Sequence, residues 1–171
     1  MPRTLAAKRE RWAVLTTKPQ DPNAVTVAEA TAGIRVECDM LASGSRISAT
    51  GSTTVTEQAI CESTAAQVPE NRQFEGSVTP FLDIDPDTGL PVTEGDEAWE
   101  LFREFGTRLW VLVSKGPLYT EAFAADHPYS LYEVVTDEPQ EPSERSGYMK
   151  KVVPLFVQDA WTNKQLVAGA A

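Results

Sequence analysis

The sequence predicts a mainly β domain with one packed α-helix, of the β-sandwich or β-barrel-like type. Three observations carry that reading. Short runs rich in Val, Leu, Ile, Tyr and Phe recur along the chain, separated by clusters of Pro, Gly, Asp and Asn. One of them, residues 109–113 within RLWVLVSK, is almost continuously apolar, as befits a central strand covered on both sides. Only residues 93–105 carry a convincing helical period.

In chain order, residues 1–11 are polar and basic, with Arg3, Lys8, Arg9 and Arg11. They read as a flexible tail or as an arm laid on an acidic neighbour. Residues 12–17 (WAVLTT) form a short strand ended by the loop Lys18-Pro19-Gln20-Asp21-Pro22. Thr26 and Glu29 have the spacing of a capping box, and Gly33 limits that helix to one or two turns. Residues 34–40 alternate apolar and polar, a half-buried strand. Ser and Thr dominate both faces of residues 43–58, where Ile47, Ala49 and Val55 give one thin apolar face. Such a stretch can be extended but has little to bury in its own subunit. It reads as a polar hairpin or loop that pairs with another copy, or else as a surface loop running into an edge strand.

Residues 59–72 read mostly as connector, and 74–84 as a strand made irregular by Gly76 and Pro80. A turn follows at Asp85-Pro86-Asp87-Thr88-Gly89. In the helix at 93–105, Thr93 can cap and acids crowd the first turn, where the helix dipole favours them. Ala98, Leu101, Phe102 and Phe105 fall at i, i+3, i+4 and i+7, and Gly106 is placed to end it. Lys115-Gly116-Pro117 closes the central strand, and 118–129 is loop. The apolar runs 131–135 and 152–157 then flank a loop of acids and prolines, a long antiparallel hairpin. Pro154 demands an edge or a bulge in the second strand. Residues 159–171 end the chain as a small-residue tail, and the whole of 1–171 reads as one domain.

With 42% hydrophobic and 23% charged residues, a chain of 171 residues is globular and long enough to bury a core. No segment approaches the ~20 apolar residues that span a bilayer, so no membrane is expected. The basic start lacks a following apolar region, so the product is expected to stay in the cytosol of the cell that makes it. In that compartment Cys38 and Cys61 read as buried small hydrophobes rather than a bridge. A net charge of −10 repels phosphate, which disfavours ordinary nucleic-acid binding and suits a surface that DNA passes without sticking.

Asp83, Asp85, Asp87 and Glu94 copy the acidic spacing of a calcium loop. The pattern fails at the sharp turn, where Thr88 stands and Gly89 comes one residue late, and the preceding run is strand rather than helix. A solvated turn fits better, so no metal is expected. The single histidine, His127, lies between Asp126 and Pro128 in a loop with no nucleophile beside it, and there is no glycine-rich phosphate motif. The residues point to no enzyme and to no cofactor. The acidic loop 137–144 remains as a solvated surface, or as a contact for the N-terminal cations of a second copy.

The run YEVVTDEPQEPSERSGYMKKVVPLFVQ resembles the C-terminal part of major tail proteins, the tail tube proteins of long-tailed, non-contractile bacteriophages, particularly those of actinobacterial hosts. TVAEATAGIRVEC, FEGSVTPFLDID and GTRLWVLVSKGP resemble the same family in the same order, so the similarity covers residues from Val25 to the end. The resemblance implies a tail tube fold of two sheets, whose copies join edge to edge into hexameric rings. The rings stack into a tube for genome ejection, in a virion tail assembled in the host cytoplasm. It implies tape measure, tail terminator and baseplate proteins as partners, and double-stranded DNA only in passage. Glu57, Glu75 and Glu133 are then candidates for the lumen, and Ser45, Arg46, Thr50, Ser52 and Thr54 for contacts between rings. Two alternatives differ in class: a monomeric decoration or adhesin-like β-domain, and a calcium-binding surface domain.

Overall fold

The apolar run at 109–113 forms the middle of β7 (Arg108–Lys115) in the computed structural model, which describes residues 6–57, 60–61, 66–92, 96–144 and 146–169. On either side lie β1 (Glu10–Leu15) and β8 (Pro128–Thr136), both antiparallel to it. Outside β8 come β9 (Val153–Gln165), β6 (Phe74–Val78) and β3 (Arg46–Ala49), while β2 (Ile34–Arg35) borders β1. The result is one seven-stranded sheet in the order β2-β1-β7-β8-β9-β6-β3. A separate two-stranded ladder joins β4 (Thr54–Glu57) to β5 (Ala66–Pro69). Two short helices, α1 (Val27–Ala32) and α2 (Glu97–Phe102), complete the mainly β architecture.

Alternation along β7 sends side chains to two apolar clusters. Leu109, Val111 and Val113 join Trp12, Val14, Tyr132 and Val134 on the first face, under Ala98 and Phe102 of α2. Leu112 joins Ala13, Leu15, Tyr129 and Leu131 on the second, under Val25, Ala30, Phe123 and Leu166. At about 1.5–3 kcal/mol for each large side chain removed from water, both clusters stabilise the sheet substantially.

The sheet is continuous rather than split into facing halves, and β9 makes it curl. The β8–β9 register slips between Tyr129 and Leu131 and again between Glu133 and Val134. At the first slip Asn163 takes a left-handed conformation with φ 57°, which an asparagine tolerates. Each extra residue bends and twists the strand. The first cluster therefore includes both Trp12 of β1 and Ile47 of β3, and a hollow of about 370 Å³ opens between these two ends.

Pro154 lies in neither an edge strand nor a bulge, since β9 runs between β8 and β6. Its carbonyl accepts from the Asp137 N–H at 3.0 Å, one residue beyond the end of β8. Proline has no N–H to return that bond, so the β8–β9 ladder ends at this pair, just past Thr136.

The capping box of α1 is complete. Glu29 N–H donates to Thr26 Oγ1 at 3.2 Å, and Thr26 N–H donates to Glu29 Oε2 at 2.9 Å. Burial alone would raise the Glu29 carboxyl, but hydrogen bonds from Gln20 and Thr26 outweigh it and hold the group below its usual range.

Several expectations give way. The strand at 34–40 stops after Arg35, because the chain turns at 37–38; Val36 and Met40 still point into the core. Cys38 rides outward on that turn, and both cysteines are exposed rather than buried. β1 starts inside the expected arm, and Arg11 is fully buried. The stretch taken as connector contains β5, and most of the expected tail belongs to β9. The helix is six residues long and opens at Asp96, while Thr93 lies outside the described residues. It ends because Arg103 closes on the Trp99 carbonyl and Gly106 turns at φ 78°. Phe105 falls beyond that end and is 69% exposed, so the i+7 relation to Ala98 never forms. Accordingly, urea unfolding should show Phe102→Ala costing about 3–5 kcal/mol and Phe105→Ala within about 0.5 kcal/mol of the parent.

Candidate assembly surface

The β4–β5 hairpin pairs Thr54 with Pro69, Val55 with Val68, Thr56 with Gln67 and Glu57 with Ala66. Its base is closed by Thr53 N–H to Asn71 O at 3.2 Å and Glu70 N–H to Thr53 O at 2.7 Å. All of β4 is exposed, Val68 is 59% exposed and Ile60 near the tip is fully so. Neither apolar cluster includes a residue of this hairpin. A two-stranded ribbon with no packed face is marginal in water. Its Thr, Val and Gln composition nevertheless holds it extended, which leaves a β-surface that neither core cluster of the described residues backs.

Next to the hairpin, β3 is the outermost strand of the main sheet. Thr50 N–H donates to Gln73 O at 2.9 Å, which fixes the alternation of the ladder. Ile47 and Ala49 therefore turn their backbone groups away from β6, toward the free edge. The opposite edge is only the two residues of β2. Among the expected inter-ring residues, Ser45 is turned inward, its Oγ accepting from Thr79 N–H at 3.0 Å. Arg46, Ser52 and Thr54 are exposed, and Thr50 is half-buried where β3 ends.

The cover over the second face of the sheet is incomplete. Beyond Trp110 and Trp161, which border the second cluster, the face continues over β8, β9, β6 and β3, and among the described residues no helix lies on it. Cross-strand register places Glu133, Asp159, Glu75 and Arg46 there, with Phe156 beside Val135. Glu133 is mostly covered and pairs with Arg108 at 3.1 Å, while Glu75, Asp159 and Phe156 are exposed. Two of the three carboxylates expected on one surface, Glu75 and Glu133, thus share a face, and Glu57 sits apart on the hairpin. Sequence reading missed Asp159, which it assigned to a tail. The spacing of Leu155, Val157 and Ala160 marks the strand, but the bulge at Gln158 breaks its period.

Charge is unevenly placed along the strands. Past the end of β8, Asp137, Glu138, Glu141 and Glu144 line a loop in which Glu141 pairs with Lys151. Lys150 Nζ donates to Ser146 O at 2.8 Å, so its ammonium stays within that loop. At the other end of β8, beside Pro128 and Gly116, Arg9 Nη1 donates to Gly116 O at 2.7 Å. Lys8 lies next to it with φ 60°. The span of β8 between these ends is about 27 Å at ~3.3 Å per residue. Of the expected cationic arm, Lys8 and Arg9 remain outside the core, and Arg3 lies outside the described residues.

The calcium-like spacing builds a turn. Asp85 Oδ1 accepts from Asp87 N–H at 2.8 Å and from Thr88 N–H at 3.3 Å, and these bonds hold the Asp85 carboxyl below its usual range. Asp83 engages through its N–H, which donates to Asp96 Oδ2 at 2.9 Å, and Glu94 lies outside the described residues. Among the described residues no group of three or more acids, histidines or cysteines is placed to hold a metal ion. The acids that do gather surround Asp39, whose carboxyl is pushed up by burial and then by the charges of Glu97, Asp96, Glu37 and Asp83.

In the single chain, backbone amides of β4 and β5 should exchange with solvent close to the unprotected rate, while those of β7 and β8 exchange only on global unfolding. Hydrogen-exchange mass spectrometry resolves the two classes. No curated protein matches the chain, and a family model described as phage tail tube protein matches residues 1–170.

Proposed function

The chain belongs to the phage tail tube protein family, and on that premise we propose that it forms hexameric rings which stack into the tube of a long, non-contractile tail. The observation that carries this reading is the β4–β5 hairpin, a formed β-surface none of whose described residues joins either core cluster. In the proposed tube it packs against a copy in the adjacent ring, with Ser52 and Thr54 at the contact and Arg46 and Thr50 at its root. Ser45 stays within its own subunit. The free edge of β3 and the two-residue edge of β2 give each copy two unlike borders. Unlike borders join head to tail, and a head-to-tail contact closes into a ring when its rotation permits.

Charge placement supports a polar stacking direction. The acidic loop lies beyond one end of β8, and Lys8 and Arg9 lie at the other. Individual exposed ion pairs contribute only ~0–1 kcal/mol. Their repetition round a ring would select one orientation rather than supply strength. The open half of the second face, with Glu75, Glu133 and Asp159, is the proposed lining of the bore, and Glu57 a further acid at its rim. Six copies at −10 each carry −60, and a bore of that sign lets the phosphate backbone slide without adhering. A tape measure protein inside, and terminator and baseplate proteins at the ends, complete the proposed partners. Assembly takes place in the host cytoplasm.

Negative-stain electron microscopy of the concentrated protein should show stacked rings or tubes with a central channel. Replacing residues 52–70 with a short Gly-Ser turn should leave the melting temperature within a few degrees (on the order of ±0.5 kcal/mol) and abolish stacking. Tubes from the shortened chain would refute the role given to the hairpin. In assembled virions, Glu57→Lys in every copy should slow genome ejection while tails stay intact, and ejection at the parent rate would remove Glu57 from the bore.

A further inference from the structure

Past the acidic loop, the segment leading into β9 holds apolar side chains out in water. Tyr148 is 82% exposed and Met149 61%, and neither belongs to a core cluster. The segment is nevertheless built. Met149 O accepts from Leu82 N–H at 2.9 Å, and Lys151 N–H donates to Pro80 O at 3.2 Å. The Tyr148 ring stands edge-on to Phe81, with 5.8 Å between ring centres. A groove of about 490 Å³ results, walled by Leu82, Pro142, Tyr148 and Met149, with Lys150 and Lys151 beside them. An exposed apolar groove with charge at its rim marks a contact surface.

The hairpin of the same subunit points the other way. β6 runs toward the acidic loop, as β8 does, because both are antiparallel to β9. β3 therefore runs away from that loop, and β4–β5 continues the β3–β6 ladder in one register. Residues 50–53 lie opposite 70–73 between the pairs Ala49–Phe74 and Thr54–Pro69. Thr50 N–H to Gln73 O at 2.9 Å and Glu70 N–H to Thr53 O at 2.7 Å bridge the gap. From Ala49 to Glu57 the ribbon adds about 26 Å at ~3.3 Å per residue. Run straight, that length carries its turn to the end where Lys8 and Arg9 lie. Val55 and Val68 face each other across the ladder, which gives the ribbon one apolar side leading to the fully exposed Ile60.

We propose that the groove at the acidic end receives this apolar side, Val55, Ile60 and Val68, from the hairpin of a second copy. A subunit's own hairpin points away from its own groove, so the occupant is another chain. A copy set with its cationic end against the acidic loop aims its hairpin at the groove, so the charges that orient the pair also deliver the apolar contact. Glu57 and Glu70 of the incoming hairpin then come to the side where Lys150 and Lys151 stand. Exposed pairs of that kind select an orientation, while Tyr148 and the aliphatic side chains covered on docking supply the strength. The inference rests on the adjacent-ring contact proposed for the hairpin, and it names the surface that receives it.

Cys61, next to Ile60, is exposed and serves as a probe on the hairpin. A full-length Cys38→Ser chain keeps that thiol. A second chain, with Cys38→Ser, Cys61→Ser and Met149→Cys, carries its thiol in the groove, and a third carries Leu118→Cys instead, at the cationic end. Each is mixed with the first at high concentration and treated with a short bismaleimide, and isotope labelling tells the chains apart by mass spectrometry. Links from Cys61 to position 149 should form at least about tenfold faster than links to position 118, because docking raises the local thiol concentration. Adding Val55→Ser, Ile60→Ser and Val68→Ser to the first chain should remove that preference at an unchanged melting temperature. Electron microscopy of the same mixtures reads tube formation separately. Tubes without a preference for position 149 overturn the docking site and leave the tube standing. A preference without tubes upholds the docking site and counts against the tube, and the absence of both overturns both. A preference that survives the three serines overturns the role given to the apolar side.

Discussion

Burying both faces of one strand is the constraint from which the rest of the subunit follows. β7 sends Leu109, Val111 and Val113 one way and Leu112 the other, and each set needs its own cover. On the first side the sheet supplies most of that cover by curling on itself, helped by two bulges in β9 and by α2. On the second, α1 and the loop around Phe123 cover only the half nearest β1. The uncovered half and the detached hairpin are thus what remains after the core is satisfied.

Core and proposed contact residues alternate on the same strands: β3, β6, β8 and β9 send Ile47, Val78, Val134 and Leu155 into the first cluster and turn Arg46, Glu75, Glu133 and Asp159 to the other face. Charge follows the same logic. Cations near the N-terminus are partly consumed inside the subunit, most completely Arg11, and the acids beyond β8 are partly offset by Lys150 and Lys151. Much of the acidity that remains is exposed, at Glu75 and Asp159 on the second face and at Glu138, Glu141 and Glu144 beyond β8.

Most of the sheet was legible because its strands repeat with period two between clear turn signals. The central strand, the β8–β9 hairpin and the capping box at Thr26 follow from spacing alone. Misreadings cluster where local pattern and tertiary context disagree. Phe105 continues a helical spacing that the backbone abandons at Gly106. β5 was hidden because Gln67, Val68 and Pro69 carry no alternation and Pro69 discourages a strand. β9 was cut short because the bulges at Gln158 and Asn163 shift its phase. Arg11 looked like one more cation of a polar arm, and nothing within ten residues of it reveals partners more than 100 positions away, at Ser114 and Glu121. Glu75 and Glu133 were found as acids beside strand positions, but their common face emerges only from the register across β9.

The pairing of β1 with β7 has a consequence for timing. Arg11 and Ser114 are joined across 103 positions, and β6 enters the sheet only through β9 near the end of the chain. Contacts this distant in sequence form late and make folding slow. During synthesis the β4–β5 ribbon can close by itself, but the border at β3 has no sheet to belong to until β9 has left the ribosome. A nascent chain therefore lacks the free β3 edge of the finished sheet until β9 has emerged, and the border proposed for joining copies is the last part of the sheet to form.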